Sequence, residues 1–214
     1  MEISKISAKN MSEKVASLLL EEGAVEVRPS DPFTFSSGIK SPVYCDNRSL
    51  ISQPKARQLV TRGYMDMAKA YTIDAVVGIA TAGIPWASWI AHEMNLPMAY
   101  IRSASKAHGK QNKLEGKINS SQHKKIILIE DLISTGGSSL EAALSMREEG
   151  FELVSVLSIF TYGFEKAKKS FSNAQCSYQS MTTIDTLLDI GVSQGRISQQ
   201  EKEEVLNWRH EVGR

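Results

Sequence analysis

Cysteine is scarce in this chain: two residues in 214, Cys45 and Cys176, with neither a close pair nor metal-ligand spacing. That excludes a disulfide-stapled scaffold and a zinc module. Long apolar runs are missing too. The 76–91 stretch is broken by Gly78, Gly83 and Pro85 and falls short of the ~20 residues that span a bilayer. The opening MEISKISAKN lacks the apolar centre of a signal peptide, so a soluble, cytoplasmic protein is expected. Charge of one sign is not in excess, with a net charge of +1. Nucleic acid is therefore not the default partner, and no membrane partner is expected. No G-x-x-x-x-G-K-[ST] occurs, because Gln111 stands where Gly116-Lys117 would need the first glycine; ATP hydrolysis is disfavoured.

What is present is the composition of a globular domain, 42% hydrophobic and 23% charged. A chain this long buries roughly 70% of its unfolded surface. Val15, Leu18 and Leu19 fall at helical spacing within residues 11–22, and Gly23 follows as a stop. Val25–Arg48 is rich in Pro, Ser, Gly and aromatics and reads as a small flap of short strands and turns. Residues 53–70 are helix-like. Apolar runs at Ala75–Ala80, Pro97–Ile101, Ile126–Ile129 and Leu153–Phe160 then alternate with helical stretches near Ile84–Met94 and Ser138–Glu149. This alternation predicts an α/β fold, a central mostly parallel sheet flanked by helices, with right-handed crossovers throughout. Gly150 suits a left-handed helix cap. A helix near Glu165–Phe171, a short strand and two closing helices follow, and Ser198 with Glu201 has capping-box spacing. Ser103–Lys125 is expected to be structureless, a length that usually marks a functional loop.

The most informative segment is Lys125–Ser139: an apolar strand, Glu130 and Asp131, then Leu132, Ile133, Ser134, Thr135, Gly136, Gly137 and Ser138 leading into a helix. Adjacent carboxylates at the carboxyl end of a parallel strand stand where open α/β folds bind ligands, and they accept hydrogen bonds from sugar hydroxyls. The loop then offers hydroxyls and closely spaced N–H groups at the positive end of a helix dipole, which favours a phosphate. A ribose 5-phosphate fits both halves.

This segment resembles the signature of the phosphoribosyltransferase family. The resemblance implies that Glu130 and Asp131 hold the ribose hydroxyls of phosphoribosyl pyrophosphate (PRPP), and that Leu132 to Ser138 bind its 5-phosphate end. Two further segments resemble the orotate branch. Phe33–Arg48, FTFSSGIKSPVYCDNR, is similar to the hood over the base; Arg102 to Gly109, with Lys110 and Lys113, is similar to the mobile catalytic loop. Arg102, Lys106 and His108 match that loop and are expected on the pyrophosphate, with Lys106, His108 and Asp131 as the catalytic residues. Thr81-Ala82-Gly83 occupies the place of a pyrophosphate-binding turn.

The type I fold implied has a helix and hood at 1–50, and a core at 51–214 carrying a flexible catalytic loop at 103–125 and C-terminal helices. The implied activity transfers ribose 5-phosphate from PRPP to orotate, giving orotidine 5′-monophosphate and pyrophosphate for pyrimidine synthesis. Mg²⁺ would arrive mainly through PRPP, with no dedicated protein cage, and a homodimer would share active sites. The sequence departs from the family pattern at Ser36 and Ser103, where some members have lysine. Lys40, Lys106 and Lys110 are the candidates to replace that charge. No arginine stands near Tyr162-Gly163 for the orotate carboxylate, so Ser134 and the hood backbone are expected to read the base. His92, His123 and His210 are expected at the surface or in structural roles, and Trp86, Trp89 and Trp208 in packing. Two alternatives weigh less. A purine phosphoribosyltransferase should lack both the hood and the loop motif, and a PRPP-sensing regulator should add a nucleic-acid-binding element.

Overall fold

In the computed structural model the described residues are 2–34, 40–102 and 113–213, with side chains from residue 10 onward. In chain order the elements are α1 (Glu2–Glu21), β1 (Val25–Val27), β2 (Phe33–Thr34), β3 (Lys40–Ser41), β4 (Val43–Cys45), a 3₁₀ helix (Asn47–Ser52), α2 (Pro54–Ala68), β5 (Ala75–Ile79), α3 (Gly83–Met94), β6 (Met98–Ile101), β7 (Leu114–Glu115), β8 (Lys125–Ile129), β9 (Leu132–Ile133), α4 (Gly137–Glu148), β10 (Glu152–Thr161), α5 (Glu165–Asn173), β11 (Tyr178–Thr183), α6 (Ile184–Ser193) and α7 (Gln199–Val212).

The main sheet runs in the order β11-β10-β8-β5-β6-β7, with β9 also paired to β10. Every pair is parallel except β6 with β7. β8 shows why apolar runs became central strands. Ile127 and Ile129 face one buried cluster with α1, α2, α3 and α6, while Ile126 and Leu128 face another with α4 and α5. A strand covered on both faces needs no polar alternation. The flap forms two small antiparallel pairs, β1 with β4 and β2 with β3. Gly150 ends α4 at φ +87°, and Ser198 and Glu201 close the expected capping box on α7.

Three expectations change. α1 begins at Glu2 rather than Met11, through a stretch without glycine or proline. Ser103–Lys125 is not structureless over its described part: Leu114 pairs with Ile101 and Glu115 with Tyr100. A two-residue strand has no period to read in sequence. The β6 to β8 connection therefore carries a strand, and no helix among its described residues, so it is not the helical crossover expected.

Candidate active site

At the carboxyl end of β8 the chain leaves the sheet for two residues, Glu130 and Asp131, and rejoins it as β9, where Leu132 lies opposite Phe160 and Ile133 opposite Thr161. Glu130 is buried at 8% exposure, while Asp131 is half-buried. The Asp131 amide donates to Glu130 Oε1 at 3.0 Å, and the Ser139 hydroxyl lies 3.4 Å from Glu130 Oε2. Burial, and then the neighbouring charge of Asp131, push Glu130 up to about 8. Burial raises Asp131 as well. Both carboxyls are thus pushed upward together, by burial first and, at Glu130, by the neighbouring charge as well.

Buried partners from distant parts of the chain fix the backbone of the pair. The Tyr64 hydroxyl, on α2, donates to the Glu130 carbonyl. Asn47 Nδ2 donates to the Asp131 carbonyl at 2.8 Å. The Glu130 amide donates to the Leu157 carbonyl at 2.9 Å. Beneath lies the Thr81-Ala82-Gly83 turn, whose Ala80–Thr81 peptide is cis. A β-carbon on Gly83 would sit 2.1 Å from the Ile129 carbonyl oxygen, so only glycine permits this approach.

Beyond the pair, the side chain of Ile133 is fully buried and Leu132 packs on the main core, so either residue would meet a ligand through its backbone. Thr135, Gly137 and Ser138 are exposed and Ser134 is half-buried. Gly136 is the N-cap of α4 at φ +79°, and no side chain caps that helix. A β-carbon on Gly136 would meet Phe171 at 2.8 Å. The first-turn amides of α4 are thus left to an outside acceptor, at the end of the helix that favours an anion.

Arg102 donates from its amide to the Lys113 carbonyl at 3.0 Å and from its guanidinium to Glu115 at 2.7 Å. Lys113 pairs with Glu141 on α4 at 2.8 Å. Lys106, His108, Lys110, Ser103 and Ser36 lie outside the described residues. In the flap the Arg28 guanidinium sits 4.9 Å from the centre of the Phe33 ring, which lies 5.3 Å from that of Tyr44. Trp208 donates its indole N–H to the Lys40 carbonyl at 3.1 Å. At the end of β10 the buried Tyr162 stacks on Phe164 at 5.3 Å. Arg209, paired with Asp185, approaches this turn from α7, 3.9 Å from where a Gly163 β-carbon would be. Trp86 is buried against Tyr64 and Trp89, and His92 is exposed. A groove of about 620 Å³ between α2 and α3, lined by Arg57, Trp89, His92 and Glu93 among others, includes neither the acid pair nor the loop into α4. The candidate site is the open crevice above β8.

The phosphoribosyl transferase domain model matches residues 52–184, which take in β8, the acid pair and the loop into α4. The chain belongs to the phosphoribosyltransferase family. Within that family it falls among the orotate phosphoribosyltransferases. The orotate phosphoribosyltransferase of Halalkalibacterium halodurans is 45% identical over 201 residues, 93% of this chain and 95% of that protein. Among solved structures, the orotate phosphoribosyltransferase of Aeropyrum pernix matches with a TM-score of 0.71 at 27% identity, over 82% of this chain and 96% of that one. The UMP synthase of Leishmania donovani matches with a TM-score of 0.78 at 27% identity; the match covers 94% of this chain but 42% of that one. The phosphoribosyltransferase fold and its orotate branch, both expected from the sequence, are borne out. Sequence reading missed Asn47 and Tyr64, and it gave the Ser139 hydroxyl to the phosphate loop rather than to Glu130. Asn47 and Tyr64 act on the acid pair from 84 and 66 positions away, beyond any local motif.

Proposed function

We propose that this phosphoribosyltransferase joins orotate to the ribose 5-phosphate of PRPP, releasing pyrophosphate. The observation that carries the reading is one continuous unit: an acid pair at the end of β8, Glu130 buried and Asp131 half-buried, followed by the uncapped amino terminus of α4. The N1–C1′ bond forms and the C1′–O bond to pyrophosphate breaks. The electron pair leaves on pyrophosphate, and the N1 proton passes to solvent water. Glu130 and Asp131 accept hydrogen bonds from the ribose hydroxyls and favour the positive charge that develops on the ring. The loop Leu132 to Ser138 wraps the 5-phosphate, with the α4 amides and the Thr135 and Ser138 hydroxyls as donors. Arg102, Lys106 and His108 neutralise the departing pyrophosphate, and Lys106 or His108 protonates it. Ser134 and the hood backbone read the base.

Among the described residues no group of three or more His, Cys, Asp and Glu side chains could hold a metal. Mg²⁺ would be carried in by PRPP, whose phosphate oxygens are the hard ligands this ion takes with few protein partners. When bound there, the ion neutralises pyrophosphate charge. We place the enzyme in the cytoplasm as a homodimer in which Lys106 and His108 act in the partner's site. Both cysteines are unpaired, and among the described residues no helix is long and apolar enough to cross a membrane.

The direct test is incubation with PRPP, Mg²⁺ and separately orotate, uracil, adenine and hypoxanthine. Orotate alone should be consumed well, since a site that pairs a carboxylate rejects the analogue lacking it. Comparable turnover of uracil or a purine overturns the reading. The shared site is tested by mixing inactive Lys106→Ala and Asp131→Asn proteins. Random exchange should return roughly a quarter of wild-type activity, because half the dimers are mixed and half their sites are intact. No recovery after verified exchange removes the shared-site model.

A further inference from the structure

We infer that Asn47 is a positioning residue that ties the base-covering hood to Asp131, so that the hood sets the aim of the carboxylate gripping the ribose. This rests on the functional reading above and goes beyond it. Asn47 stands two residues after β4, the last hood strand, and its side chain is 1% exposed. Its Nδ2 donates to the Asp131 carbonyl at 2.8 Å, a link across 84 positions from the hood to the PRPP segment. Its own place is held from the hood side. Asp46 caps the 3₁₀ helix by accepting from the Arg48 amide and takes the Arg48 guanidinium at 2.6 Å, and the Asp46 amide donates to the Ala24 carbonyl at 2.8 Å.

The amide is a poor choice on stability grounds. The Asp131 carbonyl already accepts from the Ile159 amide at 3.2 Å, so it would not be orphaned without Asn47. Meanwhile Asn47 Oδ1 is buried with no partner among the described residues. A buried polar group with one bond made and one missing is a net cost that an apolar side chain of the same shape avoids. Such a group in a native structure calls for a reason. Here the one bond it makes lands on the residue whose carboxylate must meet the ribose. Tyr64 secures the neighbouring Glu130 carbonyl from α2, so the Asn47 bond is the side-chain tether that reaches the pair from the hood.

The test is a double-mutant cycle on the whole enzyme, with Asn47→Leu, Asp131→Asn and the double variant, reading kcat and KM for each substrate together with melting temperature. Asn47→Leu should melt within a few degrees of wild type and lose about tenfold in kcat/KM for PRPP. In the Asp131→Asn background it should have almost no further effect, because the group it aims is gone. Asn47→Ser, which keeps a donor, should recover part of the loss. If the leucine variant does not fold, Asn47→Ala takes its place in the cycle. A full additive loss in the Asp131→Asn background, or wild-type kinetics in Asn47→Leu, overturns the inference. A wild-type enzyme that fails to consume orotate sinks the functional reading instead, so the two failures are told apart.

Discussion

The acid pair and the hood are reached from either side of Asn47, yet they are built differently. Glu130 and Asp131 are held by tyrosine, asparagine, serine and backbone donors drawn from α2, the 3₁₀ helix, α4 and β10. The hood strands are two or three residues long and hydrogen-bond mainly to each other; among the described residues Val25 and Val43 pack into the main core, Asn47 ties the hood to Asp131, and Trp208 ties Lys40 from α7. On the proposed reading the ribose end is held by donors from four separate elements, and the base end by short strand pairs set on the core with an indole strap from α7. A group that must stabilise charge at a fixed atom gains from the first kind of support. A cover that admits and releases a base gains from the second.

The largest expected effect tests the locked end. Asp131→Asn should lower kcat/KM by about 10²–10³, the usual size for losing one preorganised electrostatic contact. Near-wild-type turnover would reduce the pair to a solvated turn. Next comes its proton. Burial and the Asp131 charge push Glu130 up to about 8 from its ordinary 4.5, which favours the protonated form in the folded state over the unfolded one. Stability present below pH 4.5 is therefore lost as pH rises towards 8. Glu130→Gln removes that loss. Without ligand, its stability relative to wild type in urea should climb from near zero at pH 5 to on the order of 3 kcal/mol at pH 9. A difference flat with pH would mean that the carboxyl is solvated.

Gly136→Ala should cost about 1–3 kcal/mol, since it places a side chain at positive φ against Phe171. An unchanged urea midpoint would show that the phosphate loop is as yielding as the hood. The smallest effect belongs to the strap. Trp208→Phe keeps an aromatic ring but loses the bond to Lys40, worth about 1 kcal/mol. It should raise the KM for orotate several-fold and leave that for PRPP unchanged. Equal changes in both would erase the distinction between the two ends.

The same division explains what could be read from the sequence. The strand, acid pair and loop of 125–139 were legible because one contiguous stretch carries their chemistry and their structure. β5, β8 and β10 were legible because burial on both faces leaves long apolar runs. β7 was not, since two residues at a sheet edge take their conformation from the partner strand. The roles of Asn47 and Tyr64 were hidden for another reason: an asparagine in a turn and a tyrosine in an amphipathic helix have nothing local to set them apart. Their function comes from folding them onto Glu130 and Asp131.

The missing cap on α4 also has a dynamic consequence. With Gly136 contributing no side-chain acceptor, the proposed site leaves the opening turn of that helix to be secured by the phosphate ester of PRPP. The ligand then stands in for the Ser or Asp that other helices carry in their own sequence. Amide hydrogens at the start of α4 should exchange quickly in the apo enzyme and slow sharply with PRPP, while those of β8 stay protected throughout. In that sense the substrate supplies the last piece of secondary structure.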